Sequence, residues 1–436
     1  MVWPVVELFN LSQSGHRHMF NTICMVGLGY IGLPTATLFA SRGKKVIGVD
    51  VLPHVVQTIN RGQVHIIEPD LDMLVKAAVT SGFLRATLAP EPADAFLIAV
   101  PTPFKDNHEA DLSFVQSACM LIAPVLKKGD LVILESTSPV GTTEQIATWL
   151  AQARPDISFP LDAGENSDVH IAYCPERVLP GQVIRELVSN DRVIGGLSQK
   201  SSELAITLYK TFVQGELVVT NARTAEMCKL TENSSRDVNI AFANELSMIC
   251  DDLDIDVRNL IELANRHPRV NILQPGSGVG GHCIAVDPWF IIAKTPERAK
   301  LIRTAREVND FKPHWVVEKV KQEILTILQK EPGRSMQSIT VACLGLAFKP
   351  DIDDLRESPA VEITQELASL GCGVWAVEPH IEELPASFEG KNIVLAQLDD
   401  SVERADIVCV LVKHQQFVAI KDRLKQLSNC IDVVGV

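Results

Sequence analysis

TICMVGLGYIGLPTATLFASRGKKVIGVD, residues 22–50, has the pattern of a buried strand, a tight turn, a helix and a second strand. The turn contains Gly27, Gly29 and Gly32, which allow a sharp bend, close approach of a pyrophosphate and close packing of the helix. Asp50 ends the second strand, where a carboxylate accepts hydrogen bonds from a ribose diol and repels a 2′-phosphate. The stretch predicts a dinucleotide-binding α/β fold and favours NAD over NADP; a flavin site and an unrelated turn are the alternatives.

The composition of the 436-residue chain is that of a globular protein, with 46% hydrophobic and 22% charged residues, and its length predicts two or three domains. A net charge of −14 argues against nucleic acid or an acidic membrane surface as the main partner, but not against a small anionic substrate. The ten cysteines form no CxxC pair and no zinc-like cluster, so we expect reduced thiols in a cytoplasmic protein and no metal site. The sequence has no apolar run of about 20 residues, so it predicts no membrane-spanning helix.

The rest of the chain divides into α/β, helical and α/β stretches. Further strands are predicted at 95–100, 131–137, 170–175 and 191–196, with helices between most of them, which favours a mainly parallel sheet. Long helical periodicity follows at about 224–265 and 296–330. After a polar linker at 330–338, a helix is predicted at 358–371, with strands at 339–345, 372–379, 405–412 and near the C-terminus.

The predicted fold class is therefore α/β, with two Rossmann-like domains joined by a central region of long helices. We expect residues 1–18 to be an N-terminal extension, with an upstream start choice as the alternative, because this segment lacks the pattern of a secretory signal and of the domain that follows. The expected domains are an NAD-binding domain at 19–215, a central helical domain at 216–330 and a C-terminal α/β domain at 331–436.

The stretch GSGVGGHCIAVDP, residues 276–288, places Cys283 in a glycine-rich loop. A thiolate is a strong nucleophile, and glycines let backbone N–H groups surround an oxyanion. Asp287 lies about one helical turn further on and could orient or deprotonate a water. The alternative is a small packing residue, but a thiol in a chain with an NAD motif can carry an aldehyde to the acyl level.

Two further motifs bring polar groups together. Lys229, Asn233 and Arg236 are spaced by four and three residues and share one face of a predicted helix, which could alternatively be a solvated face. Glu176 and Arg177 follow a predicted strand; the carboxylate could act as a base or orient a water, and the guanidinium could contact an anion. The alternative for these two residues is a solvated surface pair.

Loops after other strands offer hydroxyl groups and positive charges. Thr102 and Thr137 follow two strands of the first predicted sheet, where the cofactor is expected, although such residues are also common in ordinary turns. Lys349 and Arg356 accompany four carboxylates within 351–357. They could reach phosphates or a sugar, or they could belong to a solvated loop.

Taken in this order, the motifs GLGYIGLP, VPTP, STSPVG, Lys–x3–Asn, GGHC–x3–D and FK–x6–RES resemble the nucleotide-sugar 6-dehydrogenases, the UDP-glucose and GDP-mannose dehydrogenase family. The resemblance covers nearly the whole chain from Met19. The segments TAEMCKLTENSSRDVNIAFANE, PERVLPGQ and ANRHPRVNILQPGSGVGGHCIAVDPWF are most similar to the subgroup that oxidises UDP-N-acetyl-D-mannosamine. Members that oxidise UDP-glucose usually have a serine in place of His282 and an acid in place of Pro180, so any role of that acid is not carried over here, while Glu176 remains.

The resemblance implies an NAD-dependent, four-electron oxidation of UDP-N-acetyl-D-mannosamine at C6 to UDP-N-acetyl-D-mannosaminuronate. Cys283 would hold the sugar as a thiohemiacetal and then as a thioester, with Lys229 as proton acceptor and oxyanion partner. Asp287 and Glu176 would position or activate water. The implied NAD-binding residues are Gly27, Gly29, Tyr30, Ile31, Gly32, Asp50, Thr102, Thr137 and Arg356. The implied substrate-binding residues are Arg177, Val178, Asn233, Arg236, His267, Arg269, Gly280, Phe348 and Lys349.

The resemblance also implies a UDP-sugar-binding role for the domain at 331–436 and a homodimer in which Arg269 reaches across the interface. It further implies a product used in a bacterial surface polysaccharide such as enterobacterial common antigen. Three alternatives remain open. The substrate could be UDP-glucose, UDP-N-acetylglucosamine or a GDP-sugar such as GDP-mannose; the reaction could be a two-electron oxidation that does not need Cys283; or the chain could be a non-enzymatic nucleotide sensor.

Overall fold

The structure, a computed structural model, describes residues 20–105, 108–281 and 283–436. The expected extension at 1–18, as well as Met19 and His282, therefore lies outside the described residues. Contacts between residues divide the chain into two units. Among the described residues, the first unit contains 20–102 and 112–226, and the second contains 103–105, 108–111, 227–281 and 283–436.

The first unit is built on an eight-stranded sheet with the strand order β3-β2-β1-β4-β5-β6-β7-β8. Its strands are β1 Thr22–Val26, β2 Lys45–Val49, β3 Leu84–Thr87, β4 Ala95–Ile98, β5 Leu131–Leu134, β6 His170–Tyr173, β7 Arg192–Gly196 and β8 Leu217–Asn221. Strands β1 to β6 pair in parallel, and β7 is antiparallel to β6 but parallel to β8. The prediction of a mainly parallel sheet is confirmed, although β3 and β8 were not predicted.

Both faces of this sheet are buried. Along β1, Ile23 and Met25 belong to one apolar cluster, whereas Cys24 and Val26 belong to another, as the alternation of side chains in a strand requires. The covering helices are α1 Gly32–Ser41, α2 Pro53–Asn60, α3 Leu71–Thr80, α4 Ser113–Ile122, α5 Thr142–Ala153, α6 Pro160–Ala163, α7 Val183–Ser189 and α8 Gln199–Tyr209. The carboxyl ends of the parallel strands are thereby left for a ligand.

The helical region contains two helices of 31 residues each, with two shorter helices between them. These are α9 Ala222–Asp252, α10 Val257–Ala264, α11 Asp287–Lys294 and α12 Lys300–Lys330. The predicted helix at 224–265 is interrupted because Asp254 has a φ of 51° and Asp256 caps α10. The predicted start at residue 296 is also wrong, because residues 295–299 form a turn that closes on the Thr295 carbonyl.

The second unit ends in a five-stranded parallel sheet with the order β11-β10-β9-β12-β13. Its strands are β9 Thr340–Leu344, β10 Gly373–Val377, β11 Ile393–Leu395, β12 Ile407–Val410 and β13 Cys430–Asp432. Its helices are α13 Pro359–Ser369, α14 Leu398–Arg404, α15 Gln415–Val418 and α16 Lys421–Gln426. The predicted second α/β domain is confirmed, and the short strand β11 was not predicted. No helix within the described residues is long and apolar enough to span a membrane.

Candidate active site

The turn between β1 and α1 requires glycine at two positions and leaves room at a third. Gly27 has a φ of 94°, and a Cβ atom there would lie 2.4 Å from the carbonyl oxygen of Ala99. A Cβ atom on Gly32 would lie 1.9 Å from the Gly27 oxygen, whereas one on Gly29 would meet no atom within 4 Å. Helix α1 begins here without a side-chain cap or an acidic residue in its first turn. The turn therefore offers a helix N-terminus and open space to a pyrophosphate.

The predicted ribose-binding acid is held at the end of β2. The two carboxylate oxygens of Asp50 accept hydrogen bonds from the backbone N–H groups of Leu28 at 3.2 Å and Leu52 at 3.0 Å. The side chain is half-buried, so its remaining lone pairs can still receive ribose hydroxyls. Tyr30 is exposed and Ile31 is half-buried beside this turn. These residues fit a dinucleotide.

The loops after β4 and β5 are joined to each other. The Thr102 hydroxyl donates to the carbonyl oxygen of Thr137 at 2.6 Å, and the Ser136 hydroxyl donates to that of Val100 at 2.7 Å. The structure thus brings together the two threonines that the sequence placed near the cofactor. Glu226, which the sequence did not single out, accepts from Gly141 N–H and Thr143 N–H and so holds the turn into α5.

Glu176 follows β6 and is only 8% exposed, so it is not a solvated surface side chain. Its Oε1 accepts the backbone N–H of Arg177 at 2.6 Å, and its Oε2 accepts Nη2 of Arg192 at 3.2 Å. Arg177 and Val178 are half-buried. These residues belong to the first unit, and the predicted nucleophile belongs to the second.

Cys283 is an exposed residue. Its carbonyl oxygen accepts the N–H groups of Val286 at 3.2 Å and Asp287 at 2.9 Å, which forms a turn leading into α11. Helix α11 begins after this turn, at Asp287. Protein atoms crowd the thiol despite its exposure, and this loss of hydration raises its pKa, as does the charge of Asp287. The charges of Lys229 and Arg356 act in the opposite direction.

Asp287 is buried and is bound to the helix that carries Lys229. Asn233 Nδ2 donates to Asp287 Oδ2 at 2.5 Å, and Lys229 lies one turn before Asn233 on α9. Burial raises the pKa of Asp287 to about 6, against the Lys229 charge and the Asn233 hydrogen bond. The structure thus brings together a thiol, an ammonium group and a carboxyl group that changes protonation near neutral pH. Such a set can support nucleophilic and acid–base chemistry.

The glycine-rich loop packs against the loop after β9. A Cβ atom on Gly280 would lie 2.3 Å from the Glu357 oxygen and 2.9 Å from Phe348 Cβ. A Cβ atom on Gly281, where φ is 81°, would lie 3.0 Å from the Phe348 ring. Only glycines allow this approach, which places the loop that carries Phe348 beside the loop that carries the thiol.

Other predicted site residues make fewer contacts with the group around Cys283 and Asp287. Arg356 is exposed, and its Nη2 pairs with Asp354 at 2.6 Å, as in the solvated-loop alternative, although its charge also acts on the thiol. Within the described part of the chain, four exposed side chains that the sequence assigned to the substrate take no part in the hydrogen bonds and charge interactions around Cys283 and Asp287. These are Arg236, His267, Arg269 and Lys349.

Several buried polar residues near these groups were not found from the sequence. Arg192, Glu135 and Tyr209 lie behind Glu176, and Asn244 Oδ1 accepts the N–H of Gly276 at 2.9 Å, at the start of the glycine-rich loop. Arg192 had a detectable signal, since a charged residue inside a predicted buried strand needs a partner. The others stand in stretches where polar residues are ordinary.

Asp351, His380 and His414 place possible metal-ligand atoms within 4.8 Å of one another. Both ring nitrogens of His414 are already engaged by the protein. Its Nδ1 accepts the Asp351 N–H at 2.9 Å, and its Nε2 lies 3.0 Å from Glu378 Oε2. The contacts of this group therefore have a structural explanation that needs no ion.

Comparison with known protein families gives three consecutive matches, all to the UDP-glucose/GDP-mannose dehydrogenase family. Residues 21–213 match its NAD binding domain, 223–311 its central domain and 342–435 its UDP binding domain. The chain belongs to the UDP-glucose/GDP-mannose dehydrogenase family. The predictions of the family and of NAD as cofactor are confirmed.

Individual relatives are similar to this chain over nearly its whole length, and their names specify particular sugar nucleotides. The chain is 62% identical over 418 residues to the UDP-N-acetyl-D-mannosamine dehydrogenase of Yersinia pestis, which covers 96% of this chain and 99% of that protein. It is also 62% identical to the NDP-N-acetyl-D-galactosaminuronic acid dehydrogenase of Ralstonia nicotianae, with 96% of each chain covered. Among solved structures, the UDP-D-ManNAc dehydrogenase of Pyrococcus horikoshii matches with a TM-score of 0.82 and 38% identity over 95% of each chain. The names agree on a nucleotide-linked N-acetylated amino sugar.

Proposed function

We propose that this chain oxidises UDP-N-acetyl-D-mannosamine at C6 to UDP-N-acetyl-D-mannosaminuronate in a four-electron reaction. The observation that carries the proposal is the exposed Cys283 thiol, set among the charge of Lys229 and the hydrogen-bonded pair Asp287 and Asn233. A two-electron dehydrogenase or a nucleotide sensor has no use for such a thiol. The relative from Yersinia pestis supports the choice of sugar.

Two molecules of NAD, bound one after the other, would accept the two hydrides. The glycines of the first turn and the N-terminus of α1 hold the pyrophosphate of the bound NAD, and Asp50 holds a ribose. The remaining residues assigned to the cofactor are Tyr30, Ile31, Thr102, Thr137 and Arg356. Asp50 favours NAD over NADP because its charge repels a 2′-phosphate.

The first oxidation removes a hydride from C6 and a proton from its hydroxyl group. Lys229 in its neutral amine form accepts that proton, and the ammonium group that results stabilises the negative charge that develops on the oxygen when sulfur adds to the aldehyde. The Cys283 thiolate then adds to the aldehyde carbon and forms a C–S bond, and the oxygen takes a proton from the Lys229 ammonium group to give a thiohemiacetal. Because the thiol has a raised pKa, it needs a base, and the neighbouring Asp287 carboxylate can accept its proton.

The second oxidation removes the remaining hydride from C6, while Lys229 accepts the hydroxyl proton of the thiohemiacetal, and a thioester is left. A water oxygen adds to the thioester carbon, its proton passes to Glu176 or Asp287, and the C–S bond breaks to return the thiolate. The substrate residues assigned here are Arg177, Val178, Asn233, Arg236, His267, Arg269, Gly280, Phe348 and Lys349. The set includes Arg177, Arg236, Arg269 and Lys349, and such positive charges are what a pyrophosphate would need in a chain of net charge −14.

A second candidate substrate is a nucleotide-linked N-acetyl-D-galactosamine sugar. The relative from Ralstonia nicotianae, which is also 62% identical, supports it. The chemistry at C6 is the same for either sugar, so this alternative changes the sugar pocket and leaves the roles of Cys283 and Lys229 as they are.

We also propose three domains at 19–215, 216–330 and 331–436, and the family matches fall inside these boundaries. A homodimer formed through the helical domain, to which Arg269 contributes, is supported by Phe242 and Ile249, two exposed apolar side chains seven residues apart on α9. Ten free cysteines support a cytoplasmic location. The expected product would enter a bacterial surface polysaccharide such as enterobacterial common antigen.

The deciding experiment measures the NADH formed per molecule of limiting UDP-N-acetyl-D-mannosamine with excess NAD. Two NADH per sugar are expected. One NADH would mean that the reaction stops at the aldehyde, and none, with activity on another nucleotide sugar, would replace the substrate but keep the mechanism.

Replacing the nucleophile tests the covalent step. Cys283→Ser is expected to abolish uronate formation while leaving NAD affinity within about twofold, because the hydroxyl lacks thiolate character and the residue lies outside the cofactor turn. Cys430→Ser, at a half-buried thiol of β13 in the same unit, is the matched control. Undiminished steady-state uronate formation by Cys283→Ser would remove the thiol from the mechanism.

A further inference from the structure

A buried group of polar side chains lies behind Glu176 in the first unit. It contains Arg192 on β7, Glu135 directly after β5 and Tyr209 at the end of α8. Only 4% of Arg192 is exposed, and Glu135 and Tyr209 are fully or almost fully buried. Burying a guanidinium group is costly unless other groups compensate its charge and hydrogen bonds.

Arg192 is held from several sides. Its Nη2 donates to Glu176 Oε2 at 3.2 Å, and its Nη1 lies 3.9 Å from Glu135 Oε1. The Tyr209 hydroxyl donates to the same Glu135 oxygen at 2.6 Å, and the guanidinium carbon lies 4.7 Å from the centre of the Tyr209 ring. The same guanidinium carbon lies 5.6 Å from the centre of the Phe212 ring. Glu135, Tyr209 and Phe212 therefore fix the position of the guanidinium group.

The fixed position of the Arg192 guanidinium group determines the orientation of the Glu176 carboxylate. One carboxylate oxygen is bound by the Arg177 N–H and the other by Arg192, so the plane of the carboxylate is fixed from the protein side. Each oxygen can still accept another hydrogen bond, for example from water. Burial raises the pKa of Glu135 to about 7, against the Arg192 charge and the Tyr209 hydrogen bond. When Glu135 is protonated, Glu176 becomes the principal anionic partner of Arg192.

We infer that Arg192 is a positioning residue, anchored by Glu135 and Tyr209, that fixes the orientation of the Glu176 carboxylate for its proposed role of accepting a proton from the water that hydrolyses the acyl intermediate. The inference rests on the proposed function, in which Glu176 activates that water. In the step concerned, the water proton passes to Glu176, the water oxygen adds to the thioester carbon, and the C–S bond breaks to release the Cys283 thiolate. The resulting carboxylic acid loses its remaining proton to solvent. Arg192 takes no proton and touches no reacting atom.

The experiment separates acyl release from the oxidation steps. Arg192→Lys keeps the positive charge but loses the planar, two-pronged donor. It is expected to form the acyl enzyme at nearly the normal rate and to release it about 10- to 100-fold more slowly, since general acid–base catalysis typically contributes about 10²- to 10⁴-fold. Intact-protein mass spectrometry should then show acylated enzyme during turnover. KM for the sugar nucleotide and for NAD should stay within about twofold.

A double variant tests whether Arg192 acts through Glu176. Glu176→Gln alone should slow acyl release, and adding Arg192→Lys should slow it no further, because the group that Arg192 orients is already lost. Arg154→Lys is the matched control, since Arg154 is held in the same unit by Asp156 and by the Ala123 and Leu126 carbonyls. The control should release the acyl group at the normal rate.

The outcomes separate the positioning role of Arg192 from the proposed function of the protein. Normal acyl release by Arg192→Lys, or effects of the two substitutions that multiply, would overturn the positioning role. If Arg192→Lys does not fold, Tyr209→Phe keeps the ring and removes only the hydroxyl that binds Glu135; it should slow acyl release about three- to tenfold, and normal release would again overturn the role. Wild-type protein that forms no NADH from any nucleotide sugar would instead overturn the proposed function.

Discussion

The two parallel sheets of this chain begin with nearly the same turn. Gly27 follows β1 with a φ of 94°, and Gly345 follows β9 with a φ of 96°. In each turn the glycine N–H donates to a valine carbonyl at the end of the neighbouring strand, Val49 or Val377, at 2.8 Å. An acid then follows that strand in both sheets. The backbone construction of the dinucleotide-binding turn is therefore present twice.

The acids differ in what they bind. Asp50 accepts two backbone N–H groups and is half-buried. Glu378 is 5% exposed and accepts the N–H groups of Leu346, Ala347 and His380 as well as the His414 ring. Since Asp351 N–H donates to His414 Nδ1, the ring proton lies on Nε2 and points at Glu378. The first acid remains available to a ligand, and the second is used within the protein.

The largest expected effect is on stability, and it follows from the hydrogen bonds that Glu378 accepts within the protein. Glu378→Ala leaves three backbone donors and the His414 ring without their acceptor, so the free energy of unfolding should fall by at least about 4 kcal/mol, since each of the four lost partners costs roughly 1–3 kcal/mol. Urea denaturation followed by circular dichroism measures this change. NAD affinity of the folded variant should stay within about twofold of wild type. A loss of NAD affinity with unchanged stability would mean that the second acid, too, binds a ligand.

The corresponding change in the first turn should have the opposite pattern. Asp50→Ala should weaken NAD binding by about 1.5–3 kcal/mol, the range for hydrogen bonds to a charged group. The unfolding free energy should change by less than about 1 kcal/mol, because the Leu28 and Leu52 N–H groups can reach water when the carboxylate is removed. Titration calorimetry with NAD measures the first quantity. Unchanged NAD affinity would remove Asp50 from the cofactor site.

The sequence was sufficient to predict the elements whose signals are local. The turn at Gly27, the acid at Asp50 and the loop around Cys283 depend on neighbours in the chain, and the parallel sheets follow from alternating strands and helices. Strand β8 escaped prediction because much of it is exposed, and β11 because it has only three residues. Helix α12 begins late because residues 295–299 form a turn, a detail that helical periodicity does not contain.

Partners that are distant in sequence could not be predicted in this way. The hydrogen bond from Asn233 to Asp287 joins residues 54 positions apart, and the contact between Arg192 and Glu135 depends on the order of strands in the sheet. The sequence placed Asn233 and Asp287 in the same site only through the family resemblance. Burial also decides the chemistry, since it raises the pKa of Asp287 to about 6, and burial follows from the complete packing.

The smallest expected effect concerns the third position of the two turns, which is Gly29 in the first and Ala347 in the second. Gly29→Ala should leave the unfolding free energy within about 0.5 kcal/mol, because a Cβ atom there meets nothing within 4 Å. NAD affinity should fall about tenfold, or about 1.4 kcal/mol, because the methyl group occupies space that the pyrophosphate approaches. Gly373→Ala in β10 is the control, since its Cβ atom would have only ordinary contacts, the nearest at 3.7 Å. If Gly29→Ala binds NAD normally, the open space in the first turn is not where the pyrophosphate lies, and the difference between the two turns rests on their acids alone.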